Sequence, residues 1–163
     1  MLSHIWLSLA IALYGSAQTT PAARIPPMLV KAVKPIEPPE ASGAWVLQVL
    51  TRGGLDGRGT GDLFINSIGG AGVSSRDVVA ISSHGVFIPE LDQSIRAILP
   101  AQWTASTPYG ICSDCIVTLM HLAVRTADGS VQTYSAYWDP TSVAQVAPEL
   151  MRIHDLAVTA VRK

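Results

Sequence analysis

Cys112 and Cys115 stand in the run Cys112-Ser113-Asp114-Cys115, the C-x-x-C spacing of thiol–disulfide oxidoreductases. That chemistry needs a thiolate, and in those enzymes the reactive cysteine gains its low pKa at a helix N-terminus. Here the pair leads into a strand-like run, and no helical pattern follows until about residue 148. A structural disulfide is therefore the favoured reading. It would close a very short loop, so its entropic effect is small and its use is local stiffening of residues 111–116. A zinc site needs four ligands, and the scattered His84, His121 and His154 give no zinc spacing beside the two thiols. Nucleophilic catalysis fares no better. Ser82-Ser83-His84 and His154-Asp155 are neighbours only in sequence, and neither Gly-x-Ser-x-Gly nor His-Glu-x-x-His occurs. Asp56, Asp62, Asp114 and Asp139 all fall at turns, where Asp serves local hydrogen bonding. His121 sits inside an apolar strand and reads as a hydrogen-bonded structural histidine. No catalytic residue, metal site or cofactor is expected.

The other chemically suggestive stretch is residues 53–61, which hold five glycines in nine positions. It lacks the Lys-Ser/Thr ending of a P-loop and lies between two strands, so no helix N-terminus faces a phosphate. Two readings stay open. It is a plain hairpin tip, or it is a recognition loop in which Gly53 and Gly54 set the backbone and Leu55, Asp56 and Arg58 meet a partner.

The elements that must carry these residues follow from periodicity. Residues 45–51 are apolar on both faces and suit a central strand. Residues 62–67 read as the returning strand. A glycine-rich turn at 69–72 leads to a possible third strand at 78–81. Pro89 opens a helix over 89–99, with Glu90 and Asp92 at its positive end, Leu91, Ile95, Ile98 and Leu99 on one face, and Pro100 as its stop. A loop over 101–113 holds Trp103. Residues 115–126 and 130–138 form a hairpin over Asp128-Gly129, and a last helix spans about 148–160 with Leu150, Ile153, Leu156 and Ala157 inward. Tyr134 and Trp138 share one strand face, which serves either core packing or a contact surface on the side the helices leave open. The expected fold class is α+β: an antiparallel sheet of four to five strands with two helices on one face.

The chain of 163 residues allows one such domain, at 44–163. Residues 1–17 read as a signal peptide. An apolar run over 5–14 is followed by Gly15-Ser16-Ala17, and ten apolar residues are too few to span a bilayer. The mature chain is expected to begin near Gln18. Residues 18–43 carry six prolines and read as an extended stem. From residue 44 onward eight basic and ten acidic residues leave a net charge of −2. Such a surface offers no footprint for nucleic acid or anionic lipid. Export places the protein in the periplasm or outside the cell, where cysteines pair.

The order of these features is similar to that of the emfourin-like proteins. A first strand ends in Thr51-Arg52-Gly53-Gly54-Leu55-Asp56-Gly57. A helix, a Trp-containing loop, Gly110-Ile111-Cys112-Ser113-Asp114-Cys115, a hairpin over Asp128-Gly129 and a C-terminal helix follow. The resemblance covers roughly residues 45–160. It implies a non-enzymatic, exported binding domain, with a secreted metallopeptidase as the partner to be inhibited. The residues themselves leave two alternatives: a small redox protein using Cys112 and Cys115, and a structural module of the cell envelope.

Overall fold

The computed structural model describes residues 33, 35–53, 61–75, 78–82, 88–98, 102–103 and 114–162. The expected signal peptide, most of the stem, Gly54, Leu55, Asp56, Arg58, His84, Leu99, Pro100 and Cys112 lie outside them.

The fold is α+β, as the pattern of strands and helices requires. Six strands form one antiparallel sheet: β1 (Trp45–Gly53), β2 (Asp62–Asn66), β3 (Ala71–Ser75), β4 (Val78–Ser82), β5 (Ile116–Arg125) and β6 (Val131–Trp138). Their spatial order is β4-β3-β2-β1-β5-β6. The five expected strands are present, and a sixth, β3, begins at the end of the expected glycine-rich turn at 69–72 and runs on to Ser75. It is formed by pairing: Leu63 faces Val73 on one side, and Val73 faces Ala80 on the other.

β1 is central because it is apolar on both faces. Trp45, Leu47 and Val49 point to one side and join Ile65, Met120, Leu122, Ala136 and Trp138 in the main core. The two helices cover that side. α1 (Pro89–Ala97) begins with proline in its first turn, carries Glu90 and Asp92 there and Arg96 in its last turn, and buries Leu91 and Ile95. α2 (Pro148–Arg162) buries Leu150, Ile153 and Ala157 at i, i+3 and i+7. α1 is shorter than expected. Ile98 is already extended, with φ −78° and ψ 132°, so it caps the helix instead of continuing it. Tyr134, Ala136 and Trp138 also point toward the helices, so these aromatics serve core packing. Trp138 is only 6% exposed.

The opposite sheet face is not bare. Val46, Gln48, Leu50, Val117, Leu119 and Tyr137 are all buried there. Val33, from the expected stem, packs on the cluster of Leu50, Val117, Leu119 and Tyr137. Arg125 holds the stem's last part: its Nε donates to Pro39 O at 3.0 Å and its Nη2 to Pro38 O at 3.1 Å. Nη2 also lies 3.6 Å from a carboxylate oxygen of Glu37. Pro38 and Pro39 lie outside any strand, so their carbonyls take donors from elsewhere, and one guanidinium supplies both. The described part of the expected stem is thus a strap bound to the sheet.

The β5–β6 hairpin closes as its sequence dictates. Gly129 has φ +85°, and Thr126 N–H donates to Ser130 O at 2.9 Å. Asp128 accepts from the Thr126 hydroxyl, from Ser130 N–H at 3.0 Å and from the Ser130 hydroxyl at 2.8 Å. Led by the Thr126 hydroxyl, these donors pull its pKa down from 3.8 to about 2. NMR titration of the Asp128 carboxyl should therefore show a midpoint near 2. Thr126→Val should move it back toward 3.8, and an unchanged midpoint in that variant would refute the assignment of cause.

Candidate functional site

The first candidate is the end of the sheet where β1 runs into the glycine loop. Arg52 on β1 grips Asp62 at the start of β2 with both terminal nitrogens; Nη2 lies 2.9 Å from Oδ2. Arg52 Nη1 also donates to Thr51 O at 2.6 Å. The Thr51 hydroxyl donates to Gly61 O at 2.8 Å, across the mouth of the loop. Both members of the ion pair are mostly shielded, which strengthens a forked contact relative to a fully exposed one. The two ends of the loop are therefore tied together by side chains as well as by the ladder.

Gly53 closes the same corner from the other neighbour. It pairs with Ile116 on β5 and holds φ +100°. A Cβ built on it would lie 2.1 Å from the Cys115 carbonyl oxygen. Glycine is required there twice over, for its dihedral and for the close approach. Cys115 immediately precedes β5 and is disulfide-bonded. The chain's other cysteine, Cys112, lies outside the described residues, so its pairing with Cys115 remains a proposal. The sheet end thus gathers the start of the loop, its return at Gly61 and Asp62, and Cys115. Of the expected contact residues only Gly53 is described.

The second candidate lies on the sheet face under the strap. A cavity of about 470 Å³ is bounded by Val33, Pro35, Ile36, Glu37 and Pro38 on the strap side. Leu119, His121, Ala123, Val131, Thr133 and Ser135 bound it from the sheet. His121 Nδ1 and Ser135 Oγ are 2.7 Å apart. They meet because they are partners in the β5–β6 register. Burial pushes the His121 pKa below its ordinary 6.5, so the imidazole is neutral near pH 7. A search confined to neighbours in sequence misses this pair. The hairpin turn is the signal that finds it, since His121 and Ser135 are equally far from the Thr126–Ser130 closure.

A serine beside a neutral imidazole has the first two parts of a nucleophile. The third, a carboxylate on the other ring nitrogen, is absent among the described residues. Glu37 lines the cavity, but its side chain is 84% exposed and lies by Arg125. The remaining sites resolve into structural roles. His154 meets Trp138 edge-on at 5.6 Å, and its Nδ1 is 3.0 Å from Asp155. Asp139 accepts from Thr141 and Ser142 in a local turn, as expected, whereas Asp62 is committed to Arg52. No group of three metal-ligating side chains occurs among the described residues. No helix among them is long and apolar enough to cross a membrane.

Comparison of the chain with protein-family models, with curated proteins and with solved structures yields no match.

Proposed function

We propose that the chain is an exported, non-enzymatic protein-binding domain that meets its partner through the loop beginning at Gly53. The observation supporting this is the braced mouth of that loop: Arg52 locked to Asp62, Thr51 to Gly61, and Gly53 set hard against Cys115. A contact loop gains affinity when its ends are held before binding, because less ordering remains to be done. The partner class, a secreted metallopeptidase, follows from the emfourin-like resemblance of residues 51–57 and 110–115. The redox alternative finds less support, since Cys115 leads into a strand and so lacks the helix dipole that activates such thiols.

The test measures stability and affinity on the same variants. Leu55→Ala and Arg58→Ala should each change stability by less than about 0.5 kcal/mol, as for surface sites. Each should weaken inhibition of a thermolysin-like peptidase by about 1–2 kcal/mol if it is an anchor. Full activity of the peptidase at saturating wild-type protein would remove the inhibitor reading. Insulin-reducing activity that is lost on Cys112→Ser/Cys115→Ser would favour the redox reading instead.

A further inference from the structure

The cavity under the strap has no part in the loop contact just proposed, and its chemistry is distinct. Its walls are apolar on both sides: Val33, Ile36 and Pro38 above, Leu119, Ala123 and Val131 below. Its volume of about 470 Å³ falls within the range of small-molecule sites. The polar groups concentrate on the floor. Ser135 engages Nδ1 of His121, and the other ring nitrogen, Nε2, has no partner among the described residues. The Ser135 hydroxyl can donate or accept, so Nε2 can act as acceptor or as donor toward a guest. Among the described residues the lining includes no Lys or Arg, while Glu37 adds a carboxylate at the rim. The neighbouring Arg125 guanidinium is already spent on Pro38, Pro39 and Gly129 carbonyls.

We infer that this cavity is a binding site for a small, uncharged amphiphile: an apolar chain or ring system carrying one neutral hydrogen-bonding group. The apolar body lies between strap and sheet, and its hydroxyl or carbonyl meets Nε2 of His121. Among the described lining residues a carboxylate would meet no cation, and it would face Glu37. The strap is therefore one wall of a pocket, held in place by the Arg125 clasp.

The neutral fluorophore N-phenyl-1-naphthylamine, titrated into the full chain, tests this directly. It should bind saturably, at one site per chain beyond any uptake by the apolar residues 5–14. Thr133→Trp places a large ring in the cavity from an exposed position on β6 and should weaken that saturable site at least tenfold. Ile36→Glu does the same from the strap, away from the main core, and serves if the first variant folds poorly. 1-Decanol should displace the probe, and decanoate at the same concentration should do so at least tenfold less well. Saturable binding that survives both substitutions would place the probe elsewhere and overturn the site. Decanoate displacing as well as decanol would overturn the ligand class. Absence of any saturable binding would overturn both. None of these outcomes touches the loop, so peptidase inhibition can succeed or fail independently.

Discussion

Replacing Gly53 with alanine is expected to destabilise the domain by about 3 kcal/mol or more, seen as a fall in Tm on the order of 10 °C. Two costs add at this position. The backbone at φ +100° is one that residues with a Cβ rarely adopt. The new Cβ would also press on the Cys115 carbonyl oxygen from 2.1 Å, and that oxygen belongs to backbone that cannot swing aside like a side chain. β5 would have to move away from β1 at the end where Gly53 pairs with Ile116. Gly61, across the loop mouth, separates the two costs. It has φ +111°, but a Cβ there would meet nothing within 4 Å, so Gly61→Ala should carry the dihedral strain alone, about 1–2 kcal/mol. Thermal melts of the two variants side by side make the comparison. Equal losses would mean that the close approach to Cys115 carries no weight.

The requirement for positive φ at Gly53 is legible in the sequence, because a glycine cluster at a strand end signals it. The approach to Cys115 is not, since it depends on the register between β1 and β5 across about sixty residues of chain. The same division runs through the fold. β1, β5 and β6 and both helices announce themselves by apolar periodicity, because their buried faces demand it. β3 does not. Its sequence, Ala-Gly-Val-Ser-Ser, has one large apolar side chain, and Val73 stays 48% exposed even within the sheet. Backbone pairing with β2 and β4, with little side-chain demand, makes it a strand.

The strap shows a further kind of illegibility. A proline-rich run reads as unpaired and extended, and that much is right: its described prolines enter no ladder. What fastens it is one arginine reaching carbonyls 86 and 87 residues earlier in the chain. Side-chain-to-backbone contacts of that kind leave no pattern in composition or period. The His121–Ser135 pair lies between these extremes. It is available from the hairpin turn alone, once the register is counted outward from Thr126 and Ser130.

Trp45→Ala should be among the most damaging single substitutions, at about 3–5 kcal/mol. Trp45 is 1% exposed, at the start of the central strand, within the cluster that both helices cover. Its indole also ties the sheet to α1: Nε1–H donates to Asp92 Oδ1 at 2.7 Å, while Arg96 Nε donates to Asp92 Oδ2 at 2.8 Å. Trp45→Phe keeps most of the apolar body and loses the tie, so it should cost less, about 1–2 kcal/mol for the missing hydrogen bond to a carboxylate. The tie makes a pH signature. The Arg96 hydrogen bond first, then the Trp45 indole and the charge of Arg96, hold the Asp92 pKa below its ordinary 3.8 against the opposing effect of burial. A carboxyl with a depressed folded pKa stabilises the fold fully above the unfolded value and loses that contribution as pH falls through the folded one. The gap in Tm between wild type and Asp92→Asn should thus be constant near neutral pH and begin to close once the pH drops below 3.8. Asp128, which titrates near 2, is common to both proteins and cancels in the difference. A gap that stays the same from neutral pH to well below 3.8 would show that the carboxylate charge is not what joins α1 to Trp45, leaving shape alone to account for the loss.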